Sequence, residues 1–440
     1  MTGARFLLSF AALPLLGLAS WALPGVARLP PWGRASAAAA SGALLLAVEM
    51  FLFHLAGVRW SLPALAAPLV LLGVAATILS RGRIARRRAG SPRPWGALVL
   101  GGIPLALATY AAATARATSV DLLLFWGTRG ARFAAAGGID VPFLADPRHR
   151  FMHPDYPPLL PFLYAWGTLA SGRFPWGAAL LTMPLFILLA GLALGTVGRS
   201  TGDPEAPYWG GVLVALLSFT GVASLSAGNA EPPLLFFETL ALAGIAYGRG
   251  IRRLDAVASL GLAGAVWTKV EGAMFAALAT ACFLWLHRRD PKRWSRLLAV
   301  AGPAAGLLAA WLLWAGHNGL LQGYLGRTYG AFSTERWTRV LAELAAAADY
   351  GVFYLPWIAV LLLLAHRGRR GGFVFAVAAA LFVLFTFFSY LHGSFDPGPW
   401  IRWSAPRLLM TPLVLLLFAA LPAASEAGKA PESQAQVPRR

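Results

Sequence analysis

Residues 95–161 read WGALVLGGIPLALATYAAATARATSVDLLLFWGTRGARFAAAGGIDVPFLADPRHRFMHPDYPPLLP. The opening run, 95–115, is apolar and reaches the roughly 20 residues that a helix needs to cross a bilayer. Next comes the longest polar-rich interval between two membrane segments. It holds Asp121, Asp140, Asp146, His149, His153 and Asp155 together with Arg129, Arg132, Arg148 and Arg150. The chain then returns to apolar sequence through Pro157, Pro158 and Pro161. A chain that leaves the bilayer, builds such a loop and goes back is a polytopic helical membrane protein. The loop is its expected working face, because polar side chains against a membrane are costly unless they are used.

The remaining sequence agrees. Of 440 residues, 58% are hydrophobic and 12% charged, which excludes a soluble globule and a disordered chain. No ten-residue alternation suggests a barrel. Candidate spans fall near 5–24, 37–56, 62–80, 95–115, 157–172, 176–198, 207–226, 230–248, 256–268, 271–286, 297–316, 351–366, 372–391 and 406–422. The class is therefore all-α and polytopic, with about 11–14 transmembrane helices. The run 157–172 is the weakest crossing. The pair within 256–286 is short for two crossings, so a re-entrant hairpin is an alternative there.

The net charge of +19 does not point to nucleic acid. Its arginines and lysines cluster at the ends of apolar runs, as in 81-RGRIARRR-88, 287-HRRDPKRWSR-296 and 366-HRGRR-370, which is the pattern of cytoplasmic loops. Those loops place 116–156, 317–350 and 392–405 outside. The expected location is a multi-pass protein of the plasma (inner) membrane with its polar face extracytoplasmic. The N-terminal run reads as a retained first helix rather than a cleaved signal. The single cysteine, Cys282, excludes an intramolecular disulfide. Residues 1–94 read as additional spans ending in a basic loop, 95–422 as one membrane module containing the 116–156 loop, and 423–440 as a disordered cytoplasmic tail.

Several polar residues stand out as candidates for chemistry. Asp121 opens a run in which Leu122, Phe125, Trp126, Arg129 and Phe133 share one helical face, ended by Gly137 and Gly138. That helix is expected to lie in the interface with its apolar face in lipid, and Asp121 is alternatively a plain N-cap. The segment 153-HPDYPPLLP-161 sets His153, Asp155 and Tyr156 beside a double proline. Its His-x-Asp spacing lacks a clear third ligand, so it admits a divalent metal without indicating one, and no other cofactor is implied. Glu231, Lys269 and Glu271 are ionisable residues in apolar surroundings, where such groups face a cavity or a partner. Residues two apart do not face each other on a helix, so Lys269 and Glu271 need not pair. In 392-HGSFDPGPWIRWSAPRLLM-410, Arg402 and Arg407 lie outside against the charge trend. An arginine there suits a phosphate at the outer interface.

The pieces 121-DLLLFWGTRGARF-133, 153-HPDYPPLLP-161, 228-GNAEPPL-234, 268-TKVEG-272 and 406-PRLLMTP-412, in that order, resemble the GT-C superfamily of polytopic glycosyltransferases. The similarity is to family 39-like members, relatives of protein O-mannosyltransferases and aminoarabinose transferases, and it covers roughly residues 95–422. It implies a GT-C-like fold and transfer of a sugar from a polyprenyl-phosphate donor to a lipid, glycan or protein acceptor on the outer face, with inversion. In that family an acid of the first outer loop is the candidate base, which falls on Asp121. The second acidic position is usually Asp and here is Glu231, a departure from the pattern. Substrate-binding positions would be Arg129, His153, Asp155, Tyr156, Glu231, Lys269, Glu271 and Arg407. The competing class is a transporter or flippase of a lipid-linked or anionic solute, which would also want charges around an intramembrane cavity. No internal repeat supports it.

Overall fold

The computed structural model describes residues 1–81, 95–115, 119–220, 228–249, 251–321, 333–346, 358, 360–362, 372–393 and 395–421. The basic segment 82–94, most of the 351–366 run, the 366–370 loop and the 423–440 tail lie outside the described residues, so the readings placed on them stand only as expectations. Among the described residues every regular element is helical. Eight helices are long and apolar enough to cross a membrane, and three shorter apolar ones accompany them. The protein is a multi-pass helical membrane protein.

The principal helices are α1 (Thr2–Ala11), α2 (Pro31–Leu55), α3 (Leu62–Ser80), α4 (Trp95–Thr114), α5 (Gly127–Ala136), α6 (Leu159–Ser171), α7 (Thr182–Ser200) and α8 (Ala206–Thr220). They continue with α9 (Glu231–Tyr247), α10 (Asp255–Thr268), α11 (Val270–Leu286), α12 (Arg293–His317), α13 (Thr334–Ala346), α14 (Phe373–His392), α15 (Pro397–Leu408) and α16 (Met410–Ala420). Helices α3, α4 and α12 turn leucines and valines outward, among them Leu71, Leu79, Leu98, Val99, Leu298 and Leu313, as lipid-facing helices do.

Helix α9 is the centre. All of its residues are buried, and it packs against α7, α10, α11 and α16. A helix that is apolar on every side can be stable only when it is surrounded. Pro232 and Pro233 sit in its first turn, where no backbone donor is missed. Close approach to α10 depends on small residues facing small residues. A Cβ on Gly261 would stand 2.2 Å from the Ala241 nitrogen, and one on Gly244 would stand 2.5 Å from the Ala258 nitrogen.

Helices α10 and α11 form a hairpin with a single extended residue, Lys269, at its tip (φ −158°, ψ 158°). Its open end is tied by Arg296 at the start of α12. The guanidinium makes a bidentate pair with Asp255 (Nε to Oδ2 2.8 Å, Nη2 to Oδ1 2.6 Å) and also donates to Asp290 and to the Gly248 carbonyl. His287 Nδ1 lies 3.2 Å from Nη1. One buried fork therefore gathers the end of α9, the start of α10, the end of α11 and the start of α12. At about 1.5 Å per residue, the hairpin separates this knot from Lys269 by roughly 20–25 Å. The sequence left a pair of crossings or a re-entrant hairpin open for 256–286. The two arms are in fact short and antiparallel, sharing one end at Arg296 and one at Lys269.

A smaller packed unit lies at the Lys269 end. Val340 of α13, Tyr390 and Leu391 of α14, and Ile401 and Ala405 of α15 form an apolar cluster separate from the main core. Ionic and backbone contacts reinforce it: Arg336 donates to the Tyr390 and Phe395 carbonyls, and Arg339 pairs with Asp396 at 2.7 Å. Arg407 projects from the last turn of α15, just after Pro406.

Candidate functional site

Five charged side chains from four separate stretches of sequence meet at the tip of the hairpin. Lys269 Nζ donates to Glu231 Oε1 at 2.8 Å and lies 3.1 Å from Glu271 Oε1. Arg407 Nη1 pairs with Asp121 Oδ2 and stands 3.6 Å from Glu231 Oε1. The result is a chain of alternating sign, Asp121–Arg407–Glu231–Lys269–Glu271. Three carboxylates face two cations, for a net charge of −1. Apart from Glu271, these side chains are at most 12% exposed. At such burial a charge is tolerated only when it is paired, and each of these is.

Local backbone explains the placement. Asp121 begins a π-helical turn, Asp121–Trp126, a wide turn often found at functional sites. It makes no N-cap bond and turns to Arg407 instead. Glu231 stands in the first turn of α9, where the helix end favours a negative charge. Lys269 and Glu271, which need not pair by their spacing, do pair. The rule for residues two apart presumes a continuous helix, and Lys269 is extended.

A second group lies beside the first and is built from the 153–156 loop. His153, Tyr156 and Trp126 stack face to face, at 4.8 Å and 18° between the first two rings and 5.6 Å and 16° between the last two. Arg129 is fully buried behind them. Its guanidinium donates to the His153 and Tyr156 carbonyls at 3.3 and 3.2 Å, with the Asp155 charge opposite. Trp311 of α12 donates to the Asp155 carbonyl at 2.9 Å. His153 takes a left-handed conformation, φ 50°, a strained turn that this set of contacts holds in place. Arg129 therefore braces the loop rather than joining the ionic chain.

One expectation is corrected. The face carrying Leu122, Phe125, Trp126, Arg129 and Phe133 does not lie in lipid, because all five are buried. Helix α5 packs on α6, and a Cβ on Gly130 would meet that of Tyr164 at 2.5 Å. Periodicity identified the apolar face and could not say whether lipid or protein covers it. The Gly137 stop is as read, with φ 67° in the left-handed cap.

Four other charged residues of the 116–156 loop pair locally. Asp140 caps the short helix Val141–Ala145 and pairs with Arg132 at 2.7 Å; Asp146 pairs with Arg148 at 2.6 Å. The Arg148 guanidinium holds the Asp146 carboxyl below its usual range, to about 2. These are loop-building contacts. Arg402 pairs with Glu343 at 3.5 Å on the surface of the small unit.

Glu238 escaped the sequence reading. It is fully buried and accepts from Thr411 Oγ1 of α16 at 2.9 and 3.0 Å. Its signal was present: Glu238 lies seven residues after Glu231, on the same face of α9 two turns deeper. Among the described residues no three His, Cys, Asp or Glu side chains are grouped so as to hold a metal ion. No family model matches the chain, and neither a curated protein nor a solved structure matches it.

Proposed function

We propose that this chain is a membrane glycosyltransferase that moves a sugar from a polyprenyl-phosphate donor to an acceptor on the extracytoplasmic face. The observation that carries the reading is the convergence of Asp121, Glu231, Lys269 and Arg407 at one end of the hairpin, opposite the basic 287–296 loop. By the charge rule the basic loop is cytoplasmic, so the ionic chain belongs to the outer side. The segments that meet there are also the ones resembling the GT-C transferases.

The arrangement suits the chemistry. The acceptor oxygen attacks the anomeric carbon, and the bond from that carbon to the phosphate oxygen breaks. The polyprenyl phosphate leaves with the electron pair. The acceptor proton passes to the Asp121 carboxylate as general base. Arg407 and Lys269 steady the charge gathering on the leaving phosphate. A single displacement from the face opposite the phosphate inverts the anomeric centre. A phosphate leaves without protonation, so no general acid is required. Glu231 and Glu271 set the positions of the two cations.

The test is transfer of labelled sugar from a short-chain polyprenyl-phosphate donor to membrane acceptors by purified protein in liposomes. Donor consumption that disappears in Asp121→Asn supports the reading. Purified protein that consumes no donor across a panel of hexosyl and pentosyl lipids overturns it.

A further inference from the structure

Every member of the ionic chain is already paired within the protein. The Arg407 guanidinium, the natural seat for a phosphate in this site, is occupied by the carboxylate that is the candidate base. Both functions cannot be exercised in this state. An arginine-bound carboxylate is a poor proton acceptor, and a carboxylate-bound arginine has its best donor engaged. Charge gives the same answer: the five groups already sum to −1, so a phosphate enters only as a carboxylate gives way.

We infer that Arg407 is a phosphate site whose resting occupant is Asp121, and that an incoming phosphate displaces the carboxylate and thereby frees the base. This builds on the glycosyl-transfer reading and adds an order to it: donor first, acceptor proton second. Arg407 has the capacity to change partners. Its Nε donates to the Trp403 carbonyl at 3.2 Å, which anchors the side chain independently of Asp121. The Trp403 ring lies under the guanidinium at 5.1 Å. Among the described residues, Nη2 of Arg407 donates to none, so one arm of the fork is ready for a second oxygen. Glu231, held by Lys269, remains on the other side of Nη1 and keeps the guanidinium from following the carboxylate away. Helix α15 contributes Ile401 and Ala405 to the small apolar cluster, and from it Arg407 reaches Asp121 and Glu231 beside the main core.

The exchange has an unusual consequence. Neutralising the base should improve phosphate binding, because it removes the internal competitor. Full-length protein in detergent is titrated with geranyl phosphate, with inorganic phosphate and, as the uncharged control, with geraniol. Asp121→Asn should bind phosphate roughly tenfold more tightly than the unaltered protein, the order of one charge-assisted contact. Arg407→Ala should lose the phosphate-dependent part of the affinity. A gain with both phosphates supports an anion site open to either source. A gain with geranyl phosphate alone supports the same site with a lipid headgroup as its ligand. Folded Asp121→Asn that binds phosphate no better than the unaltered protein overturns the inference, as does absence of phosphate binding in all forms.

The unaltered protein offers a second reading of the same event. Geranyl phosphate should shift a carboxylate band in the infrared difference spectrum as Asp121 leaves its arginine, and an unchanged carboxylate region overturns the exchange. Failure of the transferase reading would look different, with phosphate bound in the pattern described but sugar never transferred.

Discussion

Lys269 and Arg296 fasten opposite ends of one helical hairpin, and the two fastenings differ in kind. At Arg296 a bidentate grip on Asp255 is joined by single contacts to Asp290, the Gly248 carbonyl and His287. At Lys269 they are carboxylates shared with a neighbouring cation, Arg407. The first end is built to stay closed. The second shares its carboxylates between two cations, and it is the end at which the proposed exchange and transfer take place.

The fixed end should therefore control stability. Arg296→Ala leaves Asp255 without its cation and should destabilise the protein by about 3–5 kcal/mol, the range for breaking a buried pair. Arg296→Lys should recover only part of this, because a single ammonium cannot match the two-pronged contact to Asp255. Thermal unfolding in detergent reads both. A melting temperature unmoved by Arg296→Ala would show that the hairpin is held elsewhere.

The same knot predicts a pH dependence. Burial first, and then the Arg296 and Arg249 charges, push the His287 imidazole from 6.5 down to about 4, against the pull of Asp290. The folded state then keeps His287 neutral where the unfolded chain binds a proton. The native advantage is complete above about 6.5 and is lost as pH falls toward about 4. Asp290, held below 3.8 chiefly by its hydrogen bond from Arg296, titrates beneath that window. Melting temperatures from pH 7 to pH 4.5 should fall, and His287→Gln should flatten the fall. Identical slopes in the two proteins would remove His287 as the cause.

Much of this was legible in the sequence because membranes penalise unused charge. Asp121, Glu231, Lys269 and Arg407 stood out against apolar neighbours, and they meet. Glu238 did not, since inside PPLLFFETL it reads as one interruption of an apolar run. The Lys269–Glu271 contact went unread because a spacing rule that holds within a helix was applied to a pair at a break between two helices. Arg129 looked available for a ligand because sequence does not show the two backbone carbonyls it holds. Asp140 and Asp146 added to the polar character of the loop taken as the working face, yet a loop rich in charge satisfies much of it locally.

Orientation can be checked with thiol chemistry. Cys282 is the only cysteine and is buried, so the background is low. A membrane-impermeant maleimide should label Arg150→Cys from the outside of intact cells, and should reach Arg289→Cys only after the membrane is opened. Both positions are exposed, one in the 116–156 loop and one in the basic loop beside Arg296. Labelling of both from the same side would overturn the assignment of the ionic chain to the outer face.

The last prediction separates a transferase from a transporter through two residues that touch each other. In the transferase, Asp121 acts on the acceptor proton and Arg407 on the donor phosphate, so their losses should split between turnover and binding. Asp121→Asn should retain the donor, bound at least as well as in the unaltered protein, while transfer drops by about 10²–10⁴-fold. Arg407→Ala should raise the donor concentration needed for half-maximal rate as well as slow the reaction, because a ground-state contact to phosphate is gone. A transporter gives no such division. There, neutralising either partner of a buried pair strands the other charge, and both variants should lose transport together. Labelled sugar transfer and donor binding, measured on the same preparations, decide between them. Asp121→Asn that transfers sugar at the unaltered rate would remove Asp121 as the base. Unaltered protein that carries solute between leaflets, yet consumes no donor, would assign the ionic chain to transport.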